Sequence, residues 1–382
     1  MRICDVTQFY SPLSGGVKRY VHEKINYVMA QPDDEHVLII PGERTEVVGE
    51  GRSRIYTIRS PLVSRSARYR ALVNLRALGE ILERERPDII ESGDPYQVGW
   101  RASSLGRALR IPVVAFYHSH FPEAYLRGPA RFLRGAAQGY VRMLYNRFEE
   151  TFVPSPALAR ILEDWGVRNV RTVNLGVNTE TFSPRPDDAI QTRDSLGIEP
   201  GRKLLLYVGR LAPEKNTATL FTAFEILAKR RPDEFELLVI GDGPQRPQLR
   251  QLQASTGNVK WIQYCTDSAE LARYYRAADL LVHPGVQETF GLVALESQAC
   301  GTPVVGIRGS YMDRIIFHEQ GSWAGENTPA ALATAMEEFS GGDLRGAGAL
   351  AARVAAEQYA WPRIFEGLFC IYREVCAHYR QR

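Results

Sequence analysis

Two glutamates, Glu288 and Glu296, stand with seven residues between them in the block Pro284-Gly-Val-Gln-Glu-Thr-Phe-Gly-Leu-Val-Ala-Leu-Glu-Ser-Gln-Ala-Cys-Gly-Thr-Pro. The run Leu280–His283 before it reads as a strand ended by Pro284-Gly285. A helix begins near Gly291, and Gly301-Thr-Pro stops it. Glu288 then lies in the loop before the helix and Glu296 inside it. The N–H groups of Phe290, Gly291 and Leu292 have no partner within the helix, and they point from its positive end, which suits a phosphate. Gly291 lets an anion approach the backbone closely. A carboxylate one turn into such a helix can accept two hydrogen bonds from a vicinal diol such as a ribose, at about 1.5–3 kcal/mol each for a charged acceptor. Both glutamates could instead be plain surface acids. A lone acid in so apolar a helix, beside a glycine-opened start, argues against that.

A second constellation follows another strand. Val208-Gly209-Arg210 ends the run Lys203–Val208, and Lys215 comes five residues after Arg210. Two cations on one loop suit a diphosphate, whose oxygens they can bind with charge assistance. Gly15-Gly16 follows the first strand and opens a helix, a second place where backbone can meet a phosphate. Gly241-Asp242-Gly243-Pro244 also follows a strand and reads by default as a tight turn. His118 closes the run Pro112–His118 behind Tyr117, with His120 beyond. A lone histidine at a strand end is usually structural or solvated.

These positions depend on an alternation of short β-branched runs with helical patterns. Further strand candidates are Arg2–Thr7, His36–Pro41, Arg54–Ile58, Asp88–Ser92, Thr151–Pro154, Val170–Leu175, Glu236–Ile240, Val259–Gln263 and Pro303–Ile307. Helical patterns include Val17–Ala30, Ala71–Arg86, Asn216–Arg230, Pro244–Ala254, Ala269–Ala277 and Gly291–Ala299. Alternation of this kind predicts βαβ units and parallel sheets covered on both faces, with ligands outside the carboxyl ends of the strands. The polar, proline-rich run Ser183-Pro-Arg-Pro-Asp-Asp-Ala is the expected linker, giving an α/β protein with domains 1–186 and 187–360 and a terminal segment 361–382.

A chain of 382 residues is long enough for two such cores. Its 45% hydrophobic and 24% charged residues exclude collagen-like, low-complexity and disulfide-scaffold classes. There is no apolar run long enough for a membrane helix. The start Met-Arg-Ile-Cys-Asp-Val reads as a strand, not a signal peptide. Five cysteines without a C-x-x-C pair suit reduced thiols and a cytoplasmic setting. The net charge of +3 is uneven: residues 1–186 carry 26 Lys+Arg against 20 Asp+Glu, the remainder 21 against 24. Such a basic half suits an anionic partner, or is simply a solvated face. Residues 127–147 mix arginines with Phe132, Leu133, Tyr140, Val141, Met143, Leu144 and Tyr145. That stripe either lies on an anionic membrane surface or packs on the sheet with its arginines in water.

The Glu288-x7-Glu296 block resembles the signature of retaining glycosyltransferases of the GT-B fold, and more narrowly glycosyltransferase family 4. Gly15-Gly16-Val17-x-Arg19, Tyr117-His118, Pro154-Ser155, Asn174-Leu-Gly-Val-Asn-Thr-Glu-Thr-Phe, Val208-Gly-Arg-Leu-Ala-Pro-Glu-Lys-Asn, Ile240-Gly-Asp-Gly-Pro and Tyr275-Arg-Ala-Ala-Asp279 are similar to further family segments, in the same order. The resemblance spans nearly the whole chain. It implies two facing Rossmann-like doubly wound domains with an interdomain cleft, and a last helix that crosses back to the first domain. It implies metal-independent transfer of a hexosyl group from a UDP- or GDP-linked sugar to an acceptor hydroxyl, with no cofactor beyond the donor. By the same resemblance Arg210 and Lys215 clamp the diphosphate, Glu288 positions the sugar and His118 sits near its reacting carbon. Gly15, Gly16, Gly209, Gly241, Asp242, Thr289, Phe290, Gly291, Leu292 and Glu296 line the donor. Tyr117 and His120 fall on the acceptor side, and Asp279 is structural. Relatives with lipid acceptors carry a basic patch in the first domain, which makes a lipid-linked acceptor and peripheral attachment to the inner face of the membrane one expectation. Two departures stand out. Gln263 occupies a position where the family usually has glycine, leaving UDP and GDP both open, and Asn178 stands where aspartate is frequent.

Other classes fit less well. A dinucleotide-dependent oxidoreductase needs G-x-G-x-x-G after a first strand, and neither Gly15-Gly-Val-Lys-Arg-Tyr nor Gly241-Asp-Gly-Pro-Gln-Arg matches. No Gly-Lys-Ser/Thr loop supports an NTPase. A nucleotide-sugar epimerase of the same fold and a silent polyanion-binding protein remain as alternatives, and no nucleic acid is expected as a partner.

Overall fold

The computed structural model describes residues 1–10, 15–49, 51–64, 69–118, 132–288, 290–310, 315–317 and 322–382. They form two compact units, Met1–Leu175 together with Trp361–Arg382, and Gly176–Ala360.

The first unit is built on β1 (Arg2–Val6), β2 (Glu35–Gly42), β3 (Glu46–Val48), β4 (Ser53–Arg59), the small antiparallel pair β5 (Leu62–Ser64) and β6 (Tyr69–Arg70), β7 (Ile89–Ser92), β8 (Val113–Phe116), β9 (Thr151–Val153) and β10 (Val170–Thr172). The main sheet has the order β10-β9-β8-β7-β1-β2-β4-β3, parallel except for the β3–β4 edge. Ile3, Cys4 and Val6 of β1 are fully buried, as a strand covered on both faces requires. Chain order reverses direction between β1 and β7. The loops after these two strands therefore diverge and leave a crevice at the carboxyl edge.

The second unit contains β11 (Lys203–Val208), β12 (Phe235–Ile240), β13 (Val259–Ile262), β14 (Leu280–Val282), β15 (Val304–Ile307) and β16 (Trp323–Ala324), in the order β13-β12-β11-β14-β15-β16 and parallel throughout. Its switch point lies between β11 and β14, the two strands that end at the Arg210–Lys215 and Glu288 loops. Leu205, Leu237, Val239, Leu280, Val282 and Val305 pack one face against Leu220, Phe224, Leu332 and Met336 of the covering helices.

Two expectations about organisation are corrected. The expected linker is not one: Pro186–Ser195 is a helix with proline in its first turn and Asp187 and Asp188 beside it. Proline there loses no helical hydrogen bond, and the acids favour the positive end. The boundary falls after Leu175 and not at residue 186, because the following segment is tied into the second unit. Val177 N–H donates to Tyr359 O at 2.8 Å, and Arg276 donates to Ser183 O at 2.7 Å and Thr181 O at 2.6 Å. The terminal helix Trp361–Arg380 belongs to the first unit. Trp361 and Phe365 stack at 5.1 Å, and Tyr27 lies 5.6 Å from Phe365 and 5.1 Å from Phe369.

Beneath that helix lies a buried polar network. Lys24 Nζ donates to Asp5 Oδ1 at 2.8 Å, Glu91 Oε1 at 2.9 Å and Tyr372 Oη at 3.0 Å. His36 Nε2 donates to Asp5 Oδ2 at 2.6 Å, and the Tyr20 and Tyr372 hydroxyls donate to Glu91. Burial opposes the charge on Asp5, but Lys24 and His36 hold its carboxyl well below the usual range. Burial dominates at Glu91 and raises its pKa. Among the described residues no helix is long and apolar enough to cross a membrane.

Candidate active site

At the carboxyl edge of the second sheet, two loops meet. Gly209 and Gly241 both have positive φ, 155° and 146°, and a Cβ on Gly241 would lie 1.9 Å from Gly209 O. A Cβ on Gly243 would lie 2.3 Å from Leu211 O. Only glycine permits this backbone-to-backbone contact, which Leu211 N–H to Asp242 O at 3.0 Å and Gln245 N–H to Leu211 O at 2.9 Å fasten. The Asp242 side chain accepts from Arg246, from Gln263 Nε2 at 2.8 Å and from Gly243 N at 2.7 Å. Arg246 above all holds its carboxyl down at about 2. Gln263, the departure from the family pattern, is thus part of the fixture that orients Asp242.

Beyond Gly209 the chain makes a single helical turn, Pro213–Lys215, and Asn216 takes the left-handed conformation at φ 56°. Asn216 Nδ2 donates to Pro284 O at 2.9 Å and to Asn327 Oδ1 at 2.7 Å, binding this loop to the one after β14. The link brings Lys215 Nζ onto Glu288 Oε1. Burial would raise the Glu288 pKa, but Lys215 and, to a smaller extent, His283 together outweigh it and keep the carboxyl below its ordinary range. Arg210 is exposed and pairs with Glu214 at 3.6 Å. Phe290 is buried, and Gly291 caps the helix Leu292–Ala299 at φ 82° with no side chain closing its N-terminus. Glu296 is 2% exposed and accepts from Tyr275 Oη at 3.1 Å. Thr289 lies outside the described residues. Asp279 accepts from Arg193 at 2.9 Å and from Leu204 N at 2.7 Å, which fixes the start of β11. Asn178 Oδ1 accepts from the N–H groups of Glu180 and Thr181, a turn an aspartate would make equally well.

In the first unit, His118 follows β8 and stacks on Phe116 at 4.3 Å and 8°, with Tyr20 edge-on at 5.1 Å. A Cβ on Gly93, after β7, would lie 3.3 Å from His118 Cδ2 and 3.4 Å from Thr7 Cβ, so the imidazole sits against both switch-point loops. Burial, helped by the Lys24 charge, lowers its pKa to about 3. Gly15 and Gly16 are exposed at the start of the helix Gly16–Ala30, which has no side-chain cap. Tyr117 is corrected as an acceptor residue. Strand alternation turns it away from Phe116 and His118 into the core, where it is 1% exposed and packs on Tyr145 at 5.3 Å. His120 lies outside the described residues.

The aromatic and basic stripe divides. Val141, Leu144 and Tyr145 of the helix Arg134–Tyr145 are buried, whereas Phe132 is 81% exposed and Leu133 and Met143 are also exposed. Among the described residues no three His, Cys, Asp or Glu side chains come together as a metal site needs.

Residues of this candidate site to which the sequence reading gave no role are Asn216, Tyr275 and His283. Asn216 was visible only as the start of a helical pattern. Tyr275 stood in a quoted motif without a role, and His283 stood as a strand end.

Two doubly wound α/β units, with Lys215 paired to Glu288 at the switch point of one of them, define a fold class in which ligands bind at the carboxyl ends of the strands. Two family models match in sequence, Glycosyltransferase Family 4 over residues 14–181 and Glycosyl transferases group 1 over residues 188–346. The chain is 33% identical over 373 residues to the GDP-mannose-dependent alpha-(1-6)-phosphatidylinositol dimannoside mannosyltransferase of Mycobacterium tuberculosis, covering 95% of this chain and 93% of that one. It is 29% identical over 320 residues to the GDP-mannose-dependent alpha-mannosyltransferase of Corynebacterium glutamicum, covering 81% and 72%. Its fold is similar to that of sucrose-phosphate synthase from Thermosynechococcus elongatus, with a TM-score of 0.79 at 20% identity over 99% of both chains. The chain belongs to the family 4 glycosyltransferases and is a glycosyltransferase of the GT-B fold.

Proposed function

We propose that the chain transfers a hexosyl group from a nucleoside-diphosphate sugar to an acceptor hydroxyl with retention of anomeric configuration, and that GDP-mannose is its donor. The observation that carries this reading is the Lys215–Glu288 pair, with Arg210 on the same loop as Lys215, in front of a helix whose N-terminus no side chain caps. Arg210 and Lys215 take the diphosphate, and the N–H groups at Gly291 and Leu292 add donors for its oxygens. Their pull grows as the C1–oxygen bond breaks and charge collects on the leaving phosphate. Glu288 accepts from hydroxyls of the sugar, and Glu296, oriented by Tyr275, accepts from the ribose. The acceptor oxygen forms the new bond to C1 on the face the diphosphate leaves, and its proton passes to the departing phosphate. This scheme uses no metal. Burial lowers the pKa of His118 in the first unit, so its ring offers a neutral imidazole rather than a charge.

GDP-mannose is favoured over UDP-linked donors because the two relatives named above use it. The phosphatidylinositol dimannoside in one relative's name makes a lipid-linked acceptor the first class to test. Exposed Phe132, Leu133 and Met143 beside Arg142 support attachment of the first unit to an anionic membrane.

The test is calorimetric titration with GDP and UDP on the chain and on Glu296→Ala, followed by transfer assays with the matching sugar. Saturable GDP binding lost in the variant is the expected result. Binding of UDP instead changes the donor, and binding of neither removes the site. Flotation with anionic and neutral vesicles, with and without Phe132→Asp, checks the membrane arm.

A further inference from the structure

Tyr207 is the next-to-last residue of β11, and its long side chain reaches past the strand end to the loop that follows. Its hydroxyl donates to Arg210 O at 2.9 Å. The residue is 4% exposed and belongs to the core of the second unit. Burial above all, with Glu288 and Glu214 acting in the same sense, raises the pKa of the hydroxyl, so it stays a donor.

The backbone between the two residues is shaped around this contact. Gly209 takes φ 155°, and a Cβ there would lie 2.9 Å from Tyr207 Oη and 3.2 Å from Cζ. A side chain at position 209 would push against the hydroxyl. The Arg210 carbonyl also accepts from Ala212 N–H at 3.0 Å, so the local turn takes one lone pair and the strand residue the other.

The Arg210 side chain is 60% exposed, and its ion pair with Glu214 at 3.6 Å is of the exposed kind that fixes little. The direction of its guanidinium is therefore set mainly by the backbone it leaves from. Lys215, by contrast, is tied through Glu288 and the Asn216 brace. Of the two cations on this loop, Arg210 is the one whose aim depends on Tyr207.

Resting on the donor reading above, we infer that Tyr207 is a positioning residue for the diphosphate: by holding the Arg210 carbonyl, it fixes the direction in which the guanidinium meets the oxygens of the leaving phosphate. A misdirected guanidinium forfeits charge-assisted hydrogen bonds to those oxygens. Tyr207 acts through Arg210 and has no role toward the sugar or the base.

The experiment is calorimetric titration of the full chain with GDP and with GMP, acceptor absent. It is run on the unaltered protein, Tyr207→Phe, Arg210→Ala and the double variant. GMP lacks the second phosphate and reports on the rest of the nucleotide site. Tyr207→Phe keeps the ring and removes only the donor. It should weaken GDP by about threefold to tenfold and leave GMP unchanged, which also shows that the variant is folded. Arg210→Ala should weaken GDP at least as much. In its background Tyr207→Phe should add less than about twofold, because the group it acts through is gone. Unchanged GDP affinity in Tyr207→Phe, equal losses for GDP and GMP, or the same loss with and without Arg210 overturns the inference. If the unaltered chain binds UDP instead, UDP and UMP take the places of GDP and GMP. If it binds no diphosphate better than the monophosphate, or if Arg210→Ala leaves the diphosphate affinity intact, the donor reading itself fails and the inference falls with it.

Discussion

Lys215 and Glu288 are 73 residues apart in the chain and share an ion pair at the switch point of the second sheet. The pair couples the group proposed to draw off the diphosphate to the group proposed to hold the sugar. A diphosphate competes with Glu288 for the same ammonium. Removal of that ammonium takes away a donor whose worth rises in the transition state. Lys215→Ala is expected to lower kcat by about 10²–10³-fold with a smaller change in KM. Steady-state kinetics with GDP-mannose measure this, and a kcat within twofold of the unaltered enzyme would contradict it.

The same pair makes a pH prediction. Glu288 is held below its ordinary pKa by Lys215 against the opposing effect of burial. A depressed carboxyl contributes stability that is present above its unfolded value and lost as pH falls through the folded one. Lys215→Met leaves burial opposed by His283 alone, so the Glu288 pKa rises. The acid limb of the residual rate should move to higher pH by at least one unit. An acid limb that stays in place would show that Lys215 does not govern Glu288.

His118 behaves in the opposite way to a histidine that gains an ionic partner. Its pKa falls to about 3 in the folded chain through burial and the nearby Lys24 charge. The unfolded chain binds the proton more readily, near pH 6.5, so His118 favours the folded state above that value and progressively less as pH falls from about 6.5 towards 3. His118→Phe should flatten this slope by at most about 1.4 kcal/mol per pH unit. Urea unfolding at a series of pH values reads it. An acid limb of activity near pH 6.5 that disappears in His118→Asn would count against a neutral ring.

Tyr275 and Glu296 lend themselves to a paired measurement. The 3.1 Å hydrogen bond between them orients a buried carboxylate. Tyr275→Phe removes the orienting donor but keeps the carboxylate, and should weaken GDP by roughly 2–10-fold, corresponding to a net hydrogen bond of about 0.5–1.5 kcal/mol. Glu296→Ala should cost more. Calorimetry ranks the two, and a Tyr275 variant weaker than the Glu296 variant would reverse the assignment.

Lys24 bridges two buried carboxylates in the first unit. Lys24→Met leaves Glu91 buried with tyrosine donors but no cation and leaves Asp5 with His36 alone, and breaking a buried pair from one side costs about 3–5 kcal/mol. Tyr372→Phe, which removes one donor, should cost about 1–3 kcal/mol. Denaturant midpoints at constant slope decide the matter. Destabilisation below 1 kcal/mol in the Lys24 variant would mean that the two carboxylates find other partners.

Much of the site was legible because its residues follow strands. The loops after β11 and β14 carry Arg210, Lys215 and Glu288 just where short apolar runs stop, and Gly291 marks the start of its helix. The additional strands β3, β5, β6 and β16 escaped notice because each has only two or three residues, too few to show alternation. The expected linker was misread because proline and aspartate are turn residues and helix-start residues alike, and only the pattern after them distinguishes the two. Tyr117 was grouped with His118 as its neighbour, although adjacent strand residues face opposite sides of a sheet.

What the amino-acid sequence determined by itself is the alternation of strands and helices, the parallel two-sheet class, and the ordered motifs that place the chain among family 4 glycosyltransferases. Each depends on periodicity or turn chemistry within a dozen residues, so each survives being read locally. Tertiary structure alone decided that Lys215 meets Glu288, that Asn216 braces the loop carrying His283, and that Lys24 binds Tyr372 across 348 positions. It also decided that the first unit ends at Leu175 and closes with the terminal helix. Those pairings follow from the order of strands within each sheet, which is set by the packing of both sheet faces at once and is written in no single segment of the chain.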